Sequence, residues 1–256
     1  MGEYPRFIIP GFKPFNPLEL AKRTEEIVCS GDERKYTAFY ATGVYCGIAT
    51  GYTVGCCLRC FYCWVNISRD FPEDHGRFFT PKQVVQNLEE AAGEYGTPRC
   101  RISGGEPTLC ERHLLGVLKF VEEDSWLSLF ILETNGILLG VDKEYVEKLK
   151  PFAKVHVRIS LKAGSEEGFA KRTGAIGKFY ELPFKAAKNL LDAGISFHVA
   201  AMTDPRIMPR DEREALIEML RSIDEGVARN LEEEAVDPYD TTLFRIRQAG
   251  MKLEWC

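Results

Sequence analysis

A chain of 256 residues with a formal net charge of −5, 45% hydrophobic and 28% charged, has the balance of a globular protein and argues against broad binding of a phosphate backbone, leaving room only for a local basic patch. No stretch approaches the roughly 18–20 apolar residues that span a bilayer, and the opening MGEYPRFIIPGF has no basic region followed by an apolar core, so a cytoplasmic protein without membrane contact is expected. Nine cysteines, an odd number, direct attention to metal binding before any disulfide framework.

Residues 1–35 read as an N-terminal extension, punctuated by Pro5, Pro10, Pro14 and Pro17, with Asn16 capping a helix that runs through Leu18, Leu20, Ile27 and Val28 before Gly31. Residues 38–40 and 44–49 read as strands, the second leading into a cysteine-rich loop. Thr80-Pro81 starts a helix to about Tyr95. A strand over 100–103, a helix over 111–123, a strand over 127–133, a helix over 142–149 and a strand over 154–161 follow. Next come a helix over 178–193, a strand over 196–202, a helix over 210–223 and a last candidate strand over 242–247. The charged stretch NLEEEAVDPYD between the last two reads as a solvated loop. Alternation of this kind implies parallel pairing through right-handed crossovers, and about six units make a partial rather than a closed barrel, spanning 36–256, with its chemistry on loops at the strand C-terminal ends.

The loop reads GCCLRCFYCWV, which places Cys56, Cys60 and Cys63 in a C-x3-C-x2-C spacing. Three thiolates suit three irons of a cubane cluster and leave the fourth iron open to a small molecule. Zinc is the alternative, held by Cys56, Cys57, Cys60 and Cys63 or by the last three of these. Adjacent Cys56 and Cys57 do not easily reach one tetrahedral metal together, so Cys57 is read as a packing residue, although spacing alone leaves a register that includes it open.

With Tyr62 directly before the last of these cysteines, the chain resembles the radical S-adenosylmethionine superfamily. The resemblance implies a partial (β/α)6 barrel, a [4Fe–4S] cluster on Cys56, Cys60 and Cys63, and S-adenosylmethionine chelating the open iron with Tyr62 near its adenine. Reductive cleavage of the sulfonium would give methionine and a 5′-deoxyadenosyl radical that takes a hydrogen atom from a substrate. An external electron donor such as a flavodoxin or ferredoxin is implied as well. Ile102-Ser103-Gly104-Gly105-Glu106 looks like the family's Gly-Gly-Glu motif, in which Gly104 and Gly105 let the backbone approach the cofactor's ammonium group.

Glu133-Thr134-Asn135-Gly136 is similar to strings found at the next strand end of many members, and Thr134 and Asn135 are taken as cofactor contacts. By period two, Arg158, Ser160 and Lys162 share one strand face, with Ser160 and Lys162 as cofactor contacts. Lys162 and Arg172-Thr173-Gly174 resemble the activating-enzyme branch, whereas Ser160 and Phe169 stand where that branch carries an acid and a histidine.

His198 reads as a satisfied core histidine, Arg245 and Arg247 as anion contacts or the polar face of an edge strand, and Cys29, Cys46, Cys100, Cys110 and Cys256 as small buried hydrophobes. Cys100 and Cys110 flank the Gly-Gly-Glu segment, which makes either a candidate hydrogen donor or acceptor. A protein or peptide ranks first as substrate, ahead of RNA bases and small metabolites. A non-catalytic metal-binding scaffold is the competing class.

Overall fold

Alternation of apolar and polar side chains decides the sheet, as in VHVRISL, where Val155, Val157, Ile159 and Leu161 are buried in one core while His156, Arg158 and Ser160 project from the other face. The fold is that of a computed structural model that describes residues 3–255. Its elements in chain order are helix α1 (Pro17–Val28), strands β1 (Cys29–Ser30), β2 (Glu33–Thr42), β3 (Ile48–Thr53) and β4 (Arg77–Phe79), then α2 (Pro81–Tyr95), β5 (Arg99–Gly104), α3 (Glu111–Glu123) and β6 (Leu129–Thr134). There follow α4 (Ile137–Val141), α5 (Lys143–Glu147), β7 (Val155–Leu161), α6 (Glu166–Thr173), α7 (Glu181–Ala193) and β8 (Phe197–Met202). The chain continues through α8 (Arg210–Ile223), α9 (Glu225–Arg229), β9 (Glu232–Glu234) and α10 (Asp240–Gln248).

Strands β3, β5, β6, β7, β8 and β9 pair in parallel and in sequence order, which is the expected partial six-unit barrel. β2 adds antiparallel to β3, and β1 and β4 add antiparallel to β2, so the sheet stays open. The helix signals act as written. Thr80 Oγ1 accepts from the Gln83 amide while Gln83 Oε1 accepts from the Thr80 amide, Pro81 opens the first turn, and Gly96 closes α2 in the left-handed region at φ 73°. The main core lies between the sheet and helices α2, α3, α5, α7 and α8. A second core, with Ala21, Val28, Val54, Leu58 and Phe61, lies behind the cysteine loop, so α1 backs that loop. The expected division at residue 35 runs through β2. No helix among the described residues is long and apolar enough to cross a membrane.

Four local expectations are corrected. Residues 44–47 are a turn, with positive φ at Tyr45, Cys46 and Gly47, because the chain must reverse between β2 and β3 within five residues. The helix expected over 142–149 is the shorter α5, which starts where Asp142 caps the Tyr145 amide at 3.1 Å and ends at Glu147, and the separate short helix α4 precedes it. The last candidate strand is the helix α10, which buries Thr242, Arg245 and Ile246 at helical spacing. The charged stretch supplies β9: Glu232 and Glu234 turn inward to Arg158, and Glu233 turns outward to Arg213. Three consecutive glutamates form a strand because each meets an arginine from another element.

A candidate cofactor site at the strand ends

The cysteine loop leaves the C-terminal end of β3, and two backbone bonds zip it to the end of β5: the Gly105 amide donates to the Thr53 carbonyl at 2.9 Å and the Glu106 amide to the Gly55 carbonyl at 2.8 Å. Gly104 sits at φ 92°, and a Cβ on Gly105 would lie 2.0 Å from the Gly55 oxygen, so only glycine admits this contact. A cavity of about 230 Å³ opens between this junction and the ends of β6 to β9. Cys56, Cys60, Cys63, Tyr62, Gly104, Gly105, Glu106, Thr134, Asn135, Ser160 and Lys162 all line it. The structure thus brings every residue expected at the cluster or its small-molecule cofactor to one place.

Within the loop the thiols differ. The hydrogen bond from Cys57 draws the Cys56 thiol down to about 7 against the effect of burial. The same bond, with burial, drives Cys57 well up, and burial pushes Cys60 up to about 11. Cys57 is fully buried, is not part of the cavity lining, and accepts from Asn135 Nδ2 at 3.3 Å. Three free cysteines on one loop facing a common cavity are the donor set a cubane with one open iron requires. The Tyr62 hydroxyl is buried and has no partner, a polar atom left over beside them. The residues present therefore fit a three-thiolate cluster and a polar small molecule next to it.

Glu106 takes a more structural part than its place in the motif implies. One carboxylate oxygen accepts from the Thr108 amide (3.1 Å), the Thr108 hydroxyl (2.7 Å) and the Thr134 hydroxyl (2.6 Å), and the other from the Asn135 amide (2.8 Å). Ser160 accepts from Lys162 Nζ at 2.5 Å and donates to Glu234 at 3.3 Å. Arg158 pairs with Glu232 and Glu234, each at 2.8 Å. Burial works against the Glu234 charge, but Arg158 and then Lys162 hold its carboxyl below the usual range. Arg101, outside the lining, pairs at 2.6 Å with Glu133, which lines the cavity, so Glu133 and Glu234 there are each matched to a guanidinium group. Trp64, half-exposed, stands at the rim with its ring edge-on to Tyr52.

Sequence reasoning missed residues 234–237, which line the cavity from β9 and the segment after it. Their signal was the acidic run itself, lying opposite the inward row of Arg158 and Lys162. His198 bridges His156 (2.7 Å) and Glu232 (3.1 Å) and lies outside the cavity lining, so it is satisfied as expected, but it is half-buried rather than a core residue. Arg245 is no anion contact on a strand: it is buried behind the cysteine loop, while Arg247 is exposed. Phe169 is buried, and the string after it braces the loop, with the Arg59 amide donating to the Thr173 carbonyl. Cys29 and Cys110, read as separate small hydrophobes, are joined as a disulfide with Cα atoms 6.0 Å apart, which removes Cys110 as a hydrogen donor. Cys100 is buried outside the cavity lining, Cys46 is exposed, and Cys256 lies outside the described residues.

Compared with known proteins, the chain matches the family model described as "Radical SAM superfamily" over residues 51–222. A probable GTP 3′,8-cyclase from Methanococcus maripaludis (strain C5) is 29% identical over 144 residues, which is 56% of this chain and 45% of that protein. A GTP 3′,8-cyclase from Peptoclostridium acidaminophilum is 30% identical over 128 residues, covering 49% and 38%. The chain thus spans less than half the length of these curated relatives. Among solved structures, Streptococcus suis SuiB bound to the precursor peptide SuiA superposes with a TM-score of 0.58 at 16% identity, over 81% of this chain and 42% of that one. Native anSMEcpe with bound AdoMet gives 0.51 at 18% identity, over 71% and 49%. At these identities the structures show the fold.

Proposed function

The chain belongs to the Radical SAM superfamily, whose cofactors are a [4Fe–4S] cluster and S-adenosylmethionine, and from that premise we propose that Cys56, Cys60 and Cys63 hold the cluster in an enzyme that acts on a peptide or protein. The carrying observation is that eleven residues from three strand ends and one loop line a single cavity. When bound, these cofactors supply hydrogen-atom abstraction through reductive cleavage of the sulfonium. In this reading Tyr62 flanks the nucleoside, the Gly104–Gly105 backbone receives the amino-acid end, and Ser160 and Lys162 face its carboxylate. Glu106 sets the two glycines and Asn135 in register, and the buried wall around Tyr62 and Leu58 excludes water.

Charge matching on the floor favours a peptide over a polyphosphate. Arg101 is bonded to Glu133, and Arg158 to Glu232 and Glu234, so neither guanidinium is free for a triphosphate. The superposition on a peptide-bound enzyme supports the same reading. A second reading, a nucleotide substrate, is favoured by sequence similarity to the GTP 3′,8-cyclases. The working context we infer is cytoplasmic, with an external electron donor of the flavodoxin or ferredoxin type.

Anaerobic reconstitution with iron and sulfide, followed by dithionite and S-adenosylmethionine, should yield 5′-deoxyadenosine, and replacing Cys56, Cys60 and Cys63 by Ala should abolish both iron uptake and that product. Unchanged product in the triple variant overturns the ligand assignment. Deuterated peptide and GTP offered separately decide the substrate, since only the true class passes deuterium to 5′-deoxyadenosine. Transfer from GTP alone would replace the peptide reading with the nucleotide one.

A further inference from the structure

Three buried arginines each grip the carbonyl of one cysteine of the loop. Arg59 Nη1 donates to the Cys56 carbonyl at 2.7 Å, Arg69 Nη1 to the Cys60 carbonyl at 2.7 Å, and Arg245 Nη1 to the Cys63 carbonyl at 2.6 Å. All three side chains are at most 2% exposed. They come from separate places in the chain: within the loop, just beyond it, and on α10 at a separation of 182 residues. Arg245 also binds the Val65 and Asn66 carbonyls, and Arg59 the Leu58 and Pro5 carbonyls.

The charge account is uneven. Asp70, with no exposure, lies between Arg69 and Arg245 and bonds to both, so one carboxylate serves two guanidinium groups. Arg59 has only carbonyls and the face of Tyr4 around it, no carboxylate partner among the described residues, and an Nη2 atom that is buried without a hydrogen bond. A guanidinium stays protonated even when buried. Net positive charge is therefore fixed behind the loop, in a region where Coulomb interactions are weakly screened.

We propose that Arg59, Arg69 and Arg245 are positioning residues that fix the backbone of all three ligand cysteines and, by their net positive charge, raise the reduction potential of the cluster held there. The inference rests on the reading above that these thiolates hold a cubane. A three-thiolate cubane is anionic and becomes more so on reduction, so fixed positive charge nearby stabilises the reduced form, and cluster potential follows net charge and hydrogen bonding. A merely structural role would need the hydrogen bonds but not the charge.

The test uses the full chain reconstituted anaerobically, with midpoint potentials from redox titration followed by the electron paramagnetic resonance of the reduced cluster. Arg59→Met and Arg245→Met are compared with Arg59→Lys and Arg245→Lys, with iron content and circular dichroism measured on each. The expected result is a shift to lower potential in the Met variants and values close to the parent in the Lys variants. Folded Met variants that take up no cluster while their Lys counterparts do would sustain the positioning role, since Lys keeps a donor as well as the charge. Unchanged potentials in the Met variants, or equal loss of the cluster in Lys and Met variants, would overturn it. Should the parent chain itself take up no iron–sulfur cluster, the ligand assignment fails rather than the role of the arginines.

Discussion

The backbone nitrogen of Asn135 donates to the Glu106 carboxylate at 2.8 Å, so the first residue beyond β6 is fixed by the second residue beyond β5. Thr108 and Thr134 bond the other oxygen of the same carboxylate, and the side chain is 1% exposed. Asn135 in turn reaches the Cys57 sulfur, which links the glutamate to the cysteine loop.

Replacing Glu106 by Gln keeps the volume but puts an amide donor where only donors point inward. One buried N–H is left facing another, at a cost of about 1–3 kcal/mol. Urea denaturation of the metal-free chain should show that loss. Isothermal titration of the reconstituted chain with S-adenosylmethionine should show weaker binding, because Thr134, Asn135 and the two glycines lose their common anchor. An equally stable variant with unaltered affinity would mean that the four donors do not depend on the carboxylate.

Gly105 and Gly93 give opposite expectations for the same change. A Cβ at Gly105 would fall 2.0 Å from the Gly55 carbonyl oxygen, backbone against backbone, so Gly105→Ala must separate the ends of β3 and β5 and should lower both stability and cluster retention. Gly93 lies within α2 with nothing within 4 Å, so Gly93→Ala should raise stability by roughly 0.5–1 kcal/mol. Thermal unfolding of the two variants side by side checks both signs.

What could be read in advance was what depends on neighbours in the chain. The period-two row of β7, the capping box of α2 and the cysteine spacing are local patterns, and each needs only a few consecutive residues to declare itself. The sixth strand did not declare itself, because Glu232, Glu233 and Glu234 have poor strand propensity until Arg158, 74 residues away, and Arg213 neutralise them. Arg245 was misplaced for a related reason: a run of six residues fits helix and strand equally, and the bonds that settle it reach back to Cys63 and Asp70. The Cys29–Cys110 pair spans 81 positions, beyond anything spacing can express.

Arg158 is 8% exposed on its side chain and carries two glutamates of β9, so its removal is predicted to loosen that strand. Arg158→Met leaves Glu234 beside Lys162 alone. The cost should be about 1–3 kcal/mol, below that of a fully buried pair because Glu232 remains more than a third exposed. Adding Glu232→Gln and Glu234→Gln should recover part of the loss, since the uncompensated carboxylates go with them. Denaturant unfolding of the single and triple variants measures the coupling. No recovery in the triple variant would show that the arginine acts through packing instead.

His113 sets an expectation for acid stability that is independent of any cofactor. Its ring is 1% exposed, Nδ1 donates to the Asp32 carbonyl at 2.7 Å, and Nε2 meets the Tyr36 hydroxyl at 2.9 Å, an arrangement that the neutral ring satisfies. Burial drives its pKa down to about 4, whereas the unfolded chain has an ordinary histidine near about 6.5. Between those values the unfolded state binds a proton that the folded state refuses. The stabilisation is therefore complete above about pH 6.5 and falls away as pH drops towards 4, by about 3 kcal/mol in all. His113→Gln removes the titration, so between pH 7 and 4.5 the variant should lose about 2–3 kcal/mol less than the parent, although it starts less stable. Urea unfolding of both metal-free proteins at the two pH values gives the difference directly, because the carboxylates titrate alike in each. Parallel losses would mean that His113 accepts its proton in the folded state, and that the Tyr36 hydroxyl turns to receive it.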